Sequence, residues 1–217
     1  CRLALNDTLR INLRGKIDRI DVTPTDKGTN LAVLYDYKLS QHTVRYDHIF
    51  HGLDMQLPLY LWALSQSPST QRQFQLDQVI GAFFIPIETA YKKQSPDEAA
   101  ALEPLPFARQ ALGIFNGEEF HRLDHLTASG SSPYYNCRFT EKERHYGYYA
   151  LTGVLTPGDF DILLQVLQAR VRQLTTRMIQ GDIAVEPYRR GSETPCGHCD
   201  FRAICRFDWQ TNRYRPL

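Results

Sequence analysis

The chain has 217 residues, 42% of them hydrophobic and 23% charged, with a formal net charge of +1; this agrees with a globular protein and suffices for one good core with a small appendage. No apolar run reaches membrane length and no secretory leader opens the sequence, so the expectation is a cytoplasmic protein without a membrane partner. The charge balance also excludes a uniformly basic surface for nucleic acid and leaves only local basic patches. The first residue is Cys, and a strand begins almost at once. A fragment cut from something larger is therefore expected.

From Arg10 to Asp18 the apolar Ile11, Leu13 and Ile17 alternate with Asn12, Arg14, Lys16 and Asp18, which predicts a half-buried strand with Asp18 on its polar face. The apolar phase then slips to Ile20 and Val22, as at a bulge or a sharp bend, so that Asp21 is expected to face the same way as Asp18. Thr23 to Asn30 is turn chemistry, and Leu31 to Leu39 resumes as the second strand of a hairpin. Asp36 and Lys38 lie two apart in it and share a face. In the expected register, Asp18, Asp36 and Lys38 converge.

That convergence has a chemistry. Two carboxylates, a main-chain carbonyl such as that of Tyr37, and water make a hard oxygen site for Mg2+ or Mn2+ with positions left open for a phosphate. Lys38 can orient a water or neutralise charge at phosphorus. Metal-dependent cleavage of DNA is the first functional hypothesis; a surface hairpin with solvated charges is the other. Whether Asp18 or Asp21 meets the metal stays open, with Asp18 preferred.

Gln56 and Tyr60 are four apart and fall on one face of a predicted helix, within reach of a phosphate or a carboxylate. Leu53, Leu57, Leu61 and Leu64 form its core stripe, and Pro58 predicts a kink that frees the carbonyl of Asp54. Val79 to Ile87 reads as a buried strand. Thr89 to about Gly130 reads as peripheral helix and loop, without assignable chemistry. Ser129 to Pro133 is a loop; Tyr134, Tyr135, Phe139, Tyr146, Tyr148 and Tyr149 follow, either packed on the core or a platform for unstacked bases.

Thr156-Pro157-Gly158-Asp159 starts a helix whose core face is Phe160, Leu163, Leu164, Leu167, Val171, Leu174 and Met178, ending at Gly181. Arg189 and Arg190 beside Tyr188, and Arg213 and Arg215 beside Tyr214, could grip phosphate and stack on bases, or be solvated tail charges. Cys196, Cys199 and Cys205 are spaced C-x2-C-x5-C; without a secretory signal this argues for metal or cluster ligation over disulfides. Zinc bound with His198 and a small reduced apolar knot are the alternatives. A core of residues 1–187, with a peripheral insert around 89–150, and a tail of 188–217 is the expected organisation.

Gly15-Lys16-Ile17-Asp18, Asp36-Tyr37-Lys38 and Gln56-Leu57-Pro58-Leu59-Tyr60 together resemble the PD-(D/E)XK nuclease domains of the RecB/AddB group. The doubled Ile17-Asp18-Arg19-Ile20-Asp21, the Pro58 variant and the run Gly181 to Pro187 are closest to AddB-type proteins. The resemblance implies an α/β, restriction-endonuclease-like core with a central mixed sheet flanked by helices. It implies that Asp18 and Asp36 hold the metal, that Lys38 is catalytic, and that Gln56 and Tyr60 line the site. It further implies single-strand exonuclease or endonuclease activity at DNA ends, within a helicase-nuclease complex that processes double-strand breaks for recombinational repair.

An AddA-type helicase-nuclease subunit would be the partner. The cysteine tail resembles the ligand set of a [4Fe-4S] cluster that fastens the tail to the core. Its fourth cysteine lies well upstream in the family, so Cys1 and Cys137 are poor substitutes. The family's acidic or His residue on a preceding helix is also missing, which implies an isolated fragment that binds metal weakly or is inactive. A dead DNA-binding or scaffold lobe, and a CRISPR-associated or phage-type exonuclease of the same fold, are the competing readings.

Overall fold

The protein is described from a computed structural model covering residues 2–4, 9–40, 42–87, 95, 110–139 and 153–217. It begins with two short antiparallel strands, β1 (Arg2–Ala4) and β2 (Arg10–Asn12), in which Leu3 pairs with Ile11. The strand expected over 10–18 stops at Asn12. Residues 13–17 have no regular structure and Asp18 is a bend; Gly15, which adds no side chain to a pleated surface, stands in the middle of that stretch. The phase slip after Asp18 is thus a bend and not a bulge.

The predicted hairpin forms from β3 (Arg19–Pro24) and β4 (Asn30–Lys38), paired from Arg19 opposite Tyr35 to Pro24 opposite Asn30. Its turn is closed by Gly28 N–H donating to Thr25 O at 2.9 Å, with Gly28 in the left-handed region at φ 76°. β4 pairs in parallel with β5 (Gln78–Pro86), the strand predicted at Val79 to Ile87. Both β4 and β5 are buried along most of their length, which explains runs without alternation such as Leu31 to Tyr35.

Next comes β6 (Leu112–Asn116), antiparallel to β5 and wholly buried. This corrects the reading of 89–130 as peripheral helix and loop, because β6 is an inner strand of the central sheet. β7 (Gly130–Ser131) and β8 (Arg138–Phe139) form a small antiparallel ladder, so part of the predicted loop at 129–133 is strand. β9 (Val154–Leu155) pairs in parallel with β6 and completes a mixed five-stranded sheet, order β3-β4-β5-β6-β9.

The close approach of β6 and β9 requires glycine. A Cβ on Gly153 would fall 1.3 Å from the carbonyl oxygen of Gly113. Residues 88–94 and 96–109, and the aromatic residues Tyr146, Tyr148 and Tyr149, lie outside the described residues.

Each face of the sheet buries something different. One face carries Leu31, Val33, Tyr35, Ile80, Phe83, Phe115 and Val154, with Cys137 and Phe139 packed over them. Tyr135 joins this core, its ring 4.8 Å from Phe83 and its hydroxyl 2.9 Å from that of Tyr35. For Tyr135 and Phe139 packing is the correct alternative. The loop beneath is tied by Asp124, which accepts from the hydroxyls of Thr127 at 2.7 Å and Ser132 at 2.6 Å. Burial raises its pKa, but the hydrogen bonds from Ser132, Thr127 and Leu126 outweigh that and hold the carboxyl below its usual range.

The other face is covered by α2 (Gln56–Ser65), which follows α1 (Tyr46–His51). Leu57, Leu61 and Leu64 are fully buried beneath α2, each contributing about 1.5–3 kcal/mol. Leu53 is not part of that stripe, since it lies in the turn before the helix. Nor does Pro58 kink α2: it sits in the first turn, where its missing N–H costs no bond, and the first helical bond runs from Leu59 N to Met55 O at 2.9 Å. The helices α3 (Pro68–Phe74) and α4 (Phe120–Leu123) are short.

The long helix α5 (Pro157–Ile179) begins as predicted, with Thr156 Oγ1 accepting from Asp159 N–H at 3.1 Å, and Gly181 after its end takes φ 73°. Phe160, Leu167 and Val171 are buried, but Met178 is 76% exposed and does not belong to a core face. The chain forms two compact units, Cys1–Ala169 and Arg170–Leu217. Within the second, β10 (Tyr188–Arg189) pairs in parallel with β11 (Arg215–Pro216), and α6 (Arg202–Cys205) is a single turn. Among the described residues no helix is long and apolar enough to cross a membrane.

Candidate active site

The site is built at the carboxyl end of β4, the end at which strands of open α/β sheets characteristically present ligand-binding groups. Asp36 and Lys38 alternate with the outward-facing Tyr37, so they share the α2 side of the sheet. Asp36 is buried, at 4% exposure. Its Oδ2 lies 2.6 Å from the Lys38 ammonium yet has no partner in hydrogen-bonding geometry. A buried carboxylate oxygen whose near neighbour is a cation is in an electropositive setting of the kind a hard metal ion could also supply.

The helix α2 brings its first residue to the same place. Gln56 Oε1 accepts from Lys38 Nζ at 2.6 Å, while Gln56 Nε2 donates to Asp36 Oδ1 at 3.2 Å and to the Tyr60 hydroxyl at 3.4 Å. One amide thus links the ammonium, the carboxylate and the phenol. Tyr60 is held from behind by Gly15, where a Cβ would fall 2.8 Å from the ring. That explains the glycine in Gly15-Lys16-Ile17-Asp18, to which sequence reasoning attached no role.

Asp18 arrives from the bend before β3. Its Oδ2 accepts from the Tyr37 N–H at 3.1 Å. In extended backbone the carbonyl leaves a residue on the same edge as its N–H, so the Tyr37 carbonyl also faces the Asp18 side. Asp21 goes elsewhere. It pairs opposite Val33, on the face opposite to Asp36, and is clamped by Arg19 through Nε at 2.7 Å and Nη2 at 2.6 Å. Asp21 therefore does not join Asp36 and Lys38, because the register of β3, which starts only after the bend at Asp18, sets it opposite Val33.

Two neighbours escaped sequence reasoning. Phe84, across from Asp36 on β5, lies with its ring centroid 5.1 Å from Lys38 Nζ. The His42 ring packs edge-on against the same ring at 4.6 Å, and its Nε2 is 3.2 Å from Asp54 Oδ2. A buried strand residue such as Phe84 gives no signal in an unbroken apolar run. A groove of about 760 Å³ continues from Gln56 and Tyr60 along Leu13, Leu59 and Phe74.

The cysteines behave differently. Cys196, Cys199 and Cys205 are free, the last two exposed, and Cys196 N–H is capped by Thr194 Oγ1 at 3.3 Å. Among the described residues no group of three or more His, Cys, Asp or Glu side chains is arranged to hold a metal ion. Cys137 is buried in the core, and burial, aided by the charge of Asp124, pushes its thiol up to about 12; such a thiol stays protonated and is a poor ligand. Cys1 lies outside the described residues.

A mixed sheet with an Asp-x-Lys pair at a strand end, a second Asp across the hairpin, and a Gln-x3-Tyr helix over them defines a nuclease core. The PD-(D/E)XK nuclease superfamily model matches residues 2–206. The chain belongs to that superfamily. It is similar to the B subunit of the ATP-dependent helicase/deoxyribonuclease of Clostridium tetani, 27% identical over 95% of this chain and 18% of the relative. The corresponding proteins of Desulforamulus reducens (28% identical, 100% of this chain and 19% of the relative) and Symbiobacterium thermophilum (29%, 92% and 17%) are similar in the same way. The chain therefore spans less than a fifth of the length of these relatives.

Proposed function

We propose that this chain is the nuclease module of a helicase-nuclease complex that trims DNA ends at double-strand breaks, cutting single strands with Mg2+ or Mn2+. The observation that carries this reading is the Asp36–Lys38–Gln56 network, with a buried carboxylate oxygen ion-paired to the lysine, at the carboxyl end of β4. Asp18, Asp36 and the Tyr37 carbonyl would hold the ion, with water completing the shell. When bound, such an ion polarises the phosphodiester and lowers the pKa of a coordinated water.

The protein's own groups do the rest. Lys38 neutralises charge that develops on the phosphoryl oxygens and orients the attacking water. Gln56 keeps the ammonium and the Asp36 carboxylate in register, and Tyr60, braced by Gly15, keeps Gln56 in its rotamer. The deoxyribonuclease name carried by the relatives supports DNA as substrate, and an AddA-type helicase protein is the partner. The test is a crystal of the parent protein soaked in Mn2+: an anomalous peak beside Asp36 is expected, and EDTA should stop cleavage of labelled single-stranded DNA. Cleavage that persists in EDTA would contradict the reading.

The tail, residues 188–217, is proposed to supply three thiolates, Cys196, Cys199 and Cys205, to a [4Fe-4S] cluster. Their spacing and their unpaired state support this. Four ligands are needed, so the fourth comes from outside the described residues and no chemical step is routed through the cluster. Anaerobically purified parent protein should be brown and lose that absorption on Cys199→Ala. Colourless protein with stoichiometric zinc would replace the cluster by a zinc staple.

A further inference from the structure

The charges of the chain are unevenly distributed. From residue 170 onward there are nine arginines and no lysine, against five acidic residues, so this unit is net positive in a chain whose total is only +1. The remainder is net negative. Some of these arginines are already engaged: Arg177 Nε bonds Asp182 at 2.6 Å, and the Arg189 guanidinium lies over the Tyr214 ring at 5.2 Å, with its Nε on Gly191 O at 2.9 Å. Tyr214 is backed in turn by Phe207 at 4.6 Å.

Beyond residue 200, Arg202, Arg206 and Arg213 are exposed and, among the described residues, have no carboxylate at ion-pair distance. Arg202 and Arg206 are one turn apart across α6, and Arg206 N–H bonds Arg202 O at 3.0 Å. Arg206 holds φ 49°, a left-handed position better suited to glycine. Large rings are exposed in the same segment, Phe201 and Trp209 at 70% each. Guanidinium groups without a carboxylate partner, within a dozen residues of exposed aromatic rings, are the composition that binds unpaired nucleic acid, phosphates to the cations and bases to the rings.

We infer that the C-terminal unit carries a sequence-independent contact for single-stranded DNA, in which Arg202, Arg206 and Arg213 meet phosphates and Trp209 stacks on a base. This rests on the proposed function only in taking DNA as the polyanion. The binding measurement contains no cleavage step, so its failure and that of the nuclease reading are distinguishable.

The test measures binding of labelled oligo-dT to the parent protein in EDTA over a salt series. The triple variant Arg202→Gln, Arg206→Gly, Arg213→Gln is expected to bind more weakly and to lower the slope of log K against log salt by about 2, three contacts at about 0.7 each. Trp209→Ala is expected to weaken binding about fivefold or more with the slope unchanged. The charge-conserving pair Arg202→Lys and Arg213→Lys should keep the wild-type slope.

If the triple variant melts early, Arg206→Gly alone is decisive, because glycine is at ease at that φ; its slope should fall by about 0.7. A wild-type slope in a folded variant overturns the inference. So does loss of polyglutamate binding with oligo-dT binding intact, which would assign the surface to an acidic protein segment.

Discussion

Asp36→Asn or Lys38→Met in the parent protein is expected to lower Mg2+-dependent cleavage of single-stranded DNA by roughly three orders of magnitude, with the affinity for the strand changed less than about threefold. The size follows from what each group does. On the proposed reading Asp36 offers a buried oxygen to a divalent ion, and its amide analogue keeps the shape while losing the charge. Lys38 is the cation nearest that oxygen, at 2.6 Å, and Met preserves its stem without the ammonium. Both are held by Gln56, so Gln56→Ala should show a smaller loss that grows as the metal is made limiting. Quenched-flow rates at saturating Mg2+ and anisotropy in EDTA separate chemistry from binding. Full rates in both variants would remove these residues from the mechanism.

The second large effect concerns folding. Gly153→Ala is expected to destabilise the sheet by about 3 kcal/mol or more, since its Cβ would fall 1.3 Å from a backbone oxygen that cannot retreat without parting β6 from β9. The Phe115 amide, which bonds Gly153 O at 2.9 Å, reports this directly by losing protection from hydrogen exchange. Gly158→Ala is the control, because a Cβ there meets nothing. Equal protection at Phe115 in the two variants would refute the argument.

What can be read from the sequence depends on how local the signal is. Asp36, Lys38, Gln56 and Tyr60 are legible because strand and helix periods fix their faces. So is the hairpin, where a glycine turn separates two apolar runs. Asp21 cannot be assigned from alternation alone, since the answer depends on a bend that the sequence registers only as a slip in phase.

The strand β6 escapes sequence reading although Ala111 to Phe115 is wholly apolar and flanked by Gln110 and Asn116; a five-residue run set in Ala- and Glu-rich surroundings carries too little periodicity to stand out. The kink expected at Pro58 fails because a helix start cannot be located to within a turn from sequence. The tail cysteines are legible as a motif but not as a geometry. Spacing along the chain does not say what faces them in space.

The ammonium of Lys38 occupies, in the structure, the place where positive charge is wanted. On the proposed reading, a divalent ion at Asp36 would displace this counterion, and a DNA phosphate that draws the lysine away would ease that entry. Thermodynamic reciprocity then requires the ion to tighten the hold on DNA by the same factor. On the proposed reading, metal and DNA therefore favour one another's binding at this pocket.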